Sequence, residues 1–105
     1  MQHPVRCGPF CSWGIAYRHN VTGTLSPDAT CNYTTEGWLN GKGYCKRADG
    51  NFYIWWDGSD TWILSAELGV TGTDYWKRTD PSILGTYTPQ GAATGDATVA
   101  EGTHP

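Results

Sequence analysis

Four cysteines, Cys7, Cys11, Cys31 and Cys45, are the side chains of this sequence best equipped for chemistry, and they are spaced Cys-x3-Cys-x19-Cys-x13-Cys. Four thiolates can hold a structural zinc ion, but such sites ordinarily begin from Cys-x2-Cys knuckles. Metal binding is therefore the less favoured use, and no cofactor is expected. Two disulfides are the stronger expectation, with three connectivities open to them. A Cys7–Cys11 bridge would close around Gly8-Pro9 and leave Cys31 to pair with Cys45. That scheme is the serious rival to cross-links from the first two cysteines to the last two. A thioredoxin-like redox role is disfavoured, because the Cys-x3-Cys spacing is one residue too long and no strand–helix–strand pattern follows it.

The remaining polar groups offer little catalysis. His3, His19 and His104 are scattered, and no neighbouring acid or nucleophile suggests a partnered general base. Asp57-Gly58-Ser59-Asp60 carries oxygens that would suit calcium, yet it lacks the spaced ligand set of an EF-hand loop, and a hairpin capped by an Asx turn explains it more simply. Asn20-Val21-Thr22 and Asn32-Tyr33-Thr34 fit the glycosylation sequon, as matches arising by chance in a Thr-rich chain would. No catalytic residue is assigned, and the chain is expected not to be an enzyme. The aromatics are the larger positive feature. In the run Phe52-Tyr53-Ile54-Trp55-Trp56, Tyr53 and Trp55 share the face opposite Phe52, Ile54 and Trp56. Exposed rings of that kind stack on sugars, so Tyr53 and Trp55 are the candidate ligand-binding pair of a carbohydrate-binding alternative.

The elements that must position these groups follow from composition. At 105 residues the chain is a single domain. Charged residues are 16% of it and the net charge is −3, so no basic field exists for nucleic acid. Leu, Ile, Val and Phe total only 15 residues, and six Trp and six Tyr must supply the core that aliphatics do not. No apolar run reaches the length of a membrane span, and the first residues lack the hydrophobic stretch of a signal peptide, so a chain without a membrane partner and outside that export route is expected. Gly or Pro interrupts nearly every window that might have been helical. Asn40-Gly41, Asp49-Gly50 and Asp57-Gly58 are hairpin signals in series. They predict an all-β antiparallel meander or sandwich of about four to seven short strands, four of them near 30–39, 42–48, 51–57 and 60–66. Residues 1–28 carry too many apolar groups for a free tail and are expected to dock on a β module spanning 29–88. Residues 89–105 offer only Val99 and small alanines for burial, which predicts an extended C-terminal arm.

From Thr30 to Val99 the chain resembles a small aromatic and Gly-rich β module that recurs in bacteriophage virion proteins and in large extracellular proteins. The residues that carry the likeness are Tyr33, Gly37, Asn40-Gly41-Lys42, Tyr44, Tyr53-Ile54-Trp55-Trp56-Asp57-Gly58, Trp62-Ile63-Leu64-Ser65 and Gly85-Thr86-Tyr87-Thr88-Pro89. The family has no activity to carry over. Cys31 stands where its pattern has Gly and Cys45 where it often has an aromatic. That pairing of departures implies that Cys7 and Cys11 staple the N-terminal segment onto the module at Cys31 and Cys45. The resemblance implies a disulfide-stapled structural and recognition module at a virion surface or in an extracellular setting, a capsid decoration protein or another minor virion protein. Its partners would be neighbouring protein chains of an assembly, copies of itself among them, with a glycan as the alternative.

Overall fold

The computed structural model describes residues 19–47, 49–70 and 74–102. Among them the chain is all-β, with eight strands: β1 (His19–Thr22), β2 (Cys31–Leu39), β3 (Lys42–Arg47), β4 (Tyr53–Trp56), β5 (Thr61–Ser65), β6 (Asp74–Thr79), β7 (Gly85–Pro89) and β8 (Ala97–Glu101). Each pairs antiparallel with the next, and β8 returns to pair with β1, so the meander closes into a barrel. Closure exceeds the four to seven strands expected and removes the sheet edges that an open meander would expose. The four strands anticipated from the hairpin signals correspond to β2–β5. At the first of those turns Asn40 and Gly41 take φ of 57° and 90°, the two left-handed residues of a type I′ hairpin.

An eight-stranded barrel is just wide enough for side chains to fill it. Trp76, Tyr33, Tyr87, Ile54, Leu64, Val21, Val99 and Cys45 are its largest fully buried side chains. Rings placed in such an interior need partners for their polar ends. Trp76 Nε1 donates to the Gly95 carbonyl at 2.8 Å and Trp62 Nε1 to that of Pro81 at 3.1 Å. The Tyr33 hydroxyl donates to the Ala29 carbonyl and the Tyr87 hydroxyl to that of Ile83, each four residues upstream and each at 2.7 Å.

The segment 89–105, expected to be an extended arm, is not one as far as residue 102. Pro89 ends β7, and β8 pairs along one side with Gly85–Tyr87 and along the other with His19–Thr22. Its small residues fit because the bulk comes from elsewhere: Ala97 and Val99 are buried beneath rings supplied by other strands. The N-terminal segment is similarly divided. Residues 1–18, with Cys7 and Cys11, lie outside the described residues, whereas residues 19–22 are a strand of the barrel itself.

Candidate functional site

Phe52, just before β4, and Ile54 and Trp56 on it enter the core cluster and Trp55 does not, which is the division of faces read from the alternation. The outward face is nevertheless not an open aromatic strip. Trp55 is buried at 2% exposure and its Nε1 donates to Ser65 Oγ at 3.0 Å. Only Tyr53 is partly open, its ring tilted against Tyr44 on β3. The Tyr53–Trp55 pair does not present two rings to a ligand. Strand register instead sets Tyr53 opposite Ser65 and Ser65 opposite Asp74, a row crossing β4, β5 and β6. Ser65 is fully buried, and its hydroxyl donates to the Glu67 carbonyl at 2.7 Å.

Asp74 reaches this row through an irregularity. The β5–β6 register shifts between Leu64 and Ser65, so Tyr75 is an extra residue that re-aims its neighbour. The Asp74 side chain is 10% exposed, and its Oδ2 lies 3.3 Å from Lys77 Nζ. Its Oδ1 is buried with no hydrogen-bond partner among the described residues. A buried polar atom left so costs about 1–3 kcal/mol, more for a charged group, and in native proteins such atoms are uncommon enough to call for a cause. Sequence reasoning missed Asp74, because a two-residue period puts it on the face of Trp76 and only the bulge reverses that.

A second feature lies on the β2–β3 hairpin. β1 covers only Cys31–Tyr33 of β2, and β4 covers only Cys45 and Lys46 of β3. Beyond those pairs the hairpin continues as a two-stranded ribbon. Its tip is tied down where Asn40 Nδ2 donates to the Trp56 carbonyl at 2.9 Å and Lys42 Nζ sits 4.9 Å from the centre of the Trp56 ring. Trp38, paired with Gly43 on this ribbon, is 77% exposed. Val70 is the other exposed large apolar side chain among the described residues.

The cysteines separate. Cys31 is disulfide-bonded, whereas Cys45 is a free, buried thiol. The expected bridge at Cys45 is therefore corrected: its Sγ lies 3.5 Å from His19 Nδ1 and 3.9 Å from Thr35 Oγ1, inside the barrel. Burial pushes this thiol up to about 11, against a smaller lowering by Thr35. It is thus held as the unreactive thiol, not the nucleophilic thiolate. A folded-state value above the unfolded one, near 9, means that its contribution is intact below pH 9 and is lost as pH rises toward 11. Two units correspond to about 3 kcal/mol. Burial also raises the Tyr33 and Tyr87 phenols, which act in the same direction at higher pH. Urea unfolding midpoints should fall above pH 9, less steeply in Cys45→Ala; a midpoint flat to pH 11 would show that the thiol is not buried as described.

Both sequons are closed to modification in this fold. Asn32 is 2% exposed, and Asn20 is buried with its Nδ2 donating to the Gly102 carbonyl at 3.0 Å. The Asp57 turn is also self-contained. Desolvation opposes ionisation of its carboxyl, but the backbone N–H groups of Ser59, Thr61 and Asp60 outweigh it and hold the group below the usual range. Among the described residues no group of three or more His, Cys, Asp or Glu is placed to hold a metal ion. No protein-family model, curated protein or solved structure matches the chain.

Proposed function

We propose that this chain is a non-catalytic structural and recognition module carried on the outside of an assembly, and that it meets a neighbouring protein chain through the β2–β3 ribbon. The observation that supports this reading is Trp38: in a chain whose other described Trp residues are buried, it is 77% exposed on the two-stranded β2–β3 ribbon. Trp is enriched among residues that dominate protein interfaces, where a ring already held by its backbone loses little entropy on docking. A closed barrel suits such a unit, because its body presents a fixed shape and the uncovered strand edges are confined to the β2–β3 ribbon. The resemblance to modules of phage virions supplies the setting, a decoration protein at the virion surface. Attachment of an N-terminal segment through Cys31 belongs to the same reading.

The test is to install a photo-crosslinking residue at position 38 in the native source and identify what it captures. Capture of a neighbouring chain in purified particles, together with loss of incorporation in Trp38→Ala at unchanged unfolding midpoint, is the expected result. A chain absent from particles, or Trp38→Ala incorporated normally, would overturn the reading.

A further inference from the structure

We infer that Cys7, Cys11 and Cys31 form a disulfide latch with two states, one tying the N-terminal segment to the start of β2 through Cys31 and one closing Cys7 on Cys11 and freeing Cys31. Counting sulfurs carries the first step. The chain has four cysteines, of which Cys31 is disulfide-bonded and Cys45 is a free, buried thiol. The partner of Cys31 is therefore Cys7 or Cys11, and the other of those two has no cysteine left to pair with inside the chain. A thiol placed next to a disulfide in sequence is the arrangement that undergoes thiol–disulfide exchange. Cys45 takes no part: it is 1% exposed, with its Sγ held against His19 and Thr35. It also lies opposite Thr35, four residues along β2 from Cys31. That is about 13 Å at the rise of a strand, well past the roughly 7 Å that a disulfide spans between Cα atoms.

The backbone at Cys31 is the second observation. Its φ is 107°, a conformation that strains any residue with a side chain. The corresponding position ahead of β7, two residues before Tyr87 as Cys31 is two before Tyr33, is Gly85 at φ 134°. A sulfur thus stands where the turn is suited to glycine, and backbone strain of this kind collects at residues with a task. Cys31 is half-buried, unlike Cys45, so its thiolate can be solvated when it leaves a disulfide. The exchange needs neither oxidant nor reductant. The thiolate of the unbonded N-terminal cysteine attacks the sulfur of the one bonded to Cys31, and a Cys7–Cys11 bond forms as the bond to Cys31 breaks. The electron pair of the broken bond leaves on Cys31 Sγ, which takes up the proton that the attacking thiol gave up. Only Gly8-Pro9-Phe10 separates the two N-terminal sulfurs, which keeps each at a high effective concentration for the other. Nothing in the latch depends on a contact at Trp38, so it stands or falls apart from the protein-contact reading.

The experiment holds the full, unreduced chain at pH 8, alkylates its thiols, digests it with trypsin and weighs the peptides. Cleavage after Arg6, Arg18 and Lys42 releases residues 7–18, with Cys7 and Cys11, and residues 19–42, with Cys31. The tied state gives these two peptides joined, with an alkylated thiol in 7–18. The released state gives 7–18 alone with an internal bridge, and 19–42 alkylated at Cys31. The joined pair is expected in most chains and the released form in about 1–10% of them, the span of a detectable minor state. Alkylation of Cys31 should vanish in Cys7→Ser and in Cys11→Ser, where a single N-terminal cysteine has nothing to exchange with. Cys31 never alkylated in the unaltered chain would overturn the inference, as would Cys31 alkylated equally in both serine variants. A bridge to Cys45, or a chain-to-chain bridge that consumes the odd thiol, would overturn it too.

Discussion

Replacing Trp76 with alanine is expected to lower the unfolding free energy by about 3–5 kcal/mol, the range for truncating a large buried aromatic and a large share of what a small domain possesses. Trp76 is fully buried, lies opposite Leu64 and Pro89, and packs at a tilt against the Tyr75 ring at a centroid distance of 5.8 Å. Its loss also strands the Gly95 carbonyl that accepts its indole N–H. A urea titration would show the midpoint falling with the slope unchanged. Trp38→Ala, removing the same group from an exposed site, should shift the midpoint by no more than about 0.5 kcal/mol. Equal losses at the two positions would mean that the barrel interior is not where the stability resides.

Gly95→Ala should cost roughly 3 kcal/mol through a different mechanism. Gly95 has φ of 87°, where any side chain adds about 1–2 kcal/mol of strain. An added Cβ would overlap the backbone carbonyl oxygen of Thr24, and a backbone group cannot turn aside as a side-chain tip would. The adjoining bridge, in which Ser26 and Thr94 exchange N–H···O bonds of 3.2 and 2.9 Å, fixes both segments. Gly91 is the control: it too has a left-handed φ, of 59°, but a Cβ there meets nothing within 4 Å, so Gly91→Ala should cost only about 1 kcal/mol. Because Gly95 accepts from Trp76, the two changes share a contact and should be less than additive when combined. Strict additivity would count against that hydrogen bond.

The middle of the fold was legible because its turns are local. Asn40-Gly41 needs only two left-handed residues to specify a hairpin, and the alternation in β4 named its core face directly. β8 was not legible, since Ala97 and Val99 acquire their meaning from Trp76, Tyr33 and Tyr87, which reach the same interior from distant strands. β7 had a signal of another kind. Pro27-Asp28-Ala29-Thr30-Cys31-Asn32-Tyr33-Thr34 and Pro81-Ser82-Ile83-Leu84-Gly85-Thr86-Tyr87-Thr88 are the same device used twice. In each, the side chain after the proline accepts the backbone N–H two residues on, at 3.1 Å, and the tyrosine returns to the carbonyl four residues back. Cys31, at φ 107°, stands where the second copy has Gly85 at 134°. A comparison of the chain with itself would have placed β7 from β2. The candidate site was hidden for a further reason. Lys77 and Asp74 share a face only because of the extra residue in β6, and Trp38 is exposed only because the neighbouring strands stop short of it, facts of register that no local pattern contains.

The closing pair of strands also decides how the barrel would bear load. His19 lies opposite Glu101, so the first and last strands leave the barrel side by side at one end. Tension applied through both would peel β1 from β8 like a zipper, breaking one rung at a time at low force. Tension between either of them and the β2–β3 ribbon would instead cross several ladders of hydrogen bonds and load them together in shear. A unit gripped by that ribbon and tethered at one terminus would be mechanically strong, and the same unit tethered at both termini would open early.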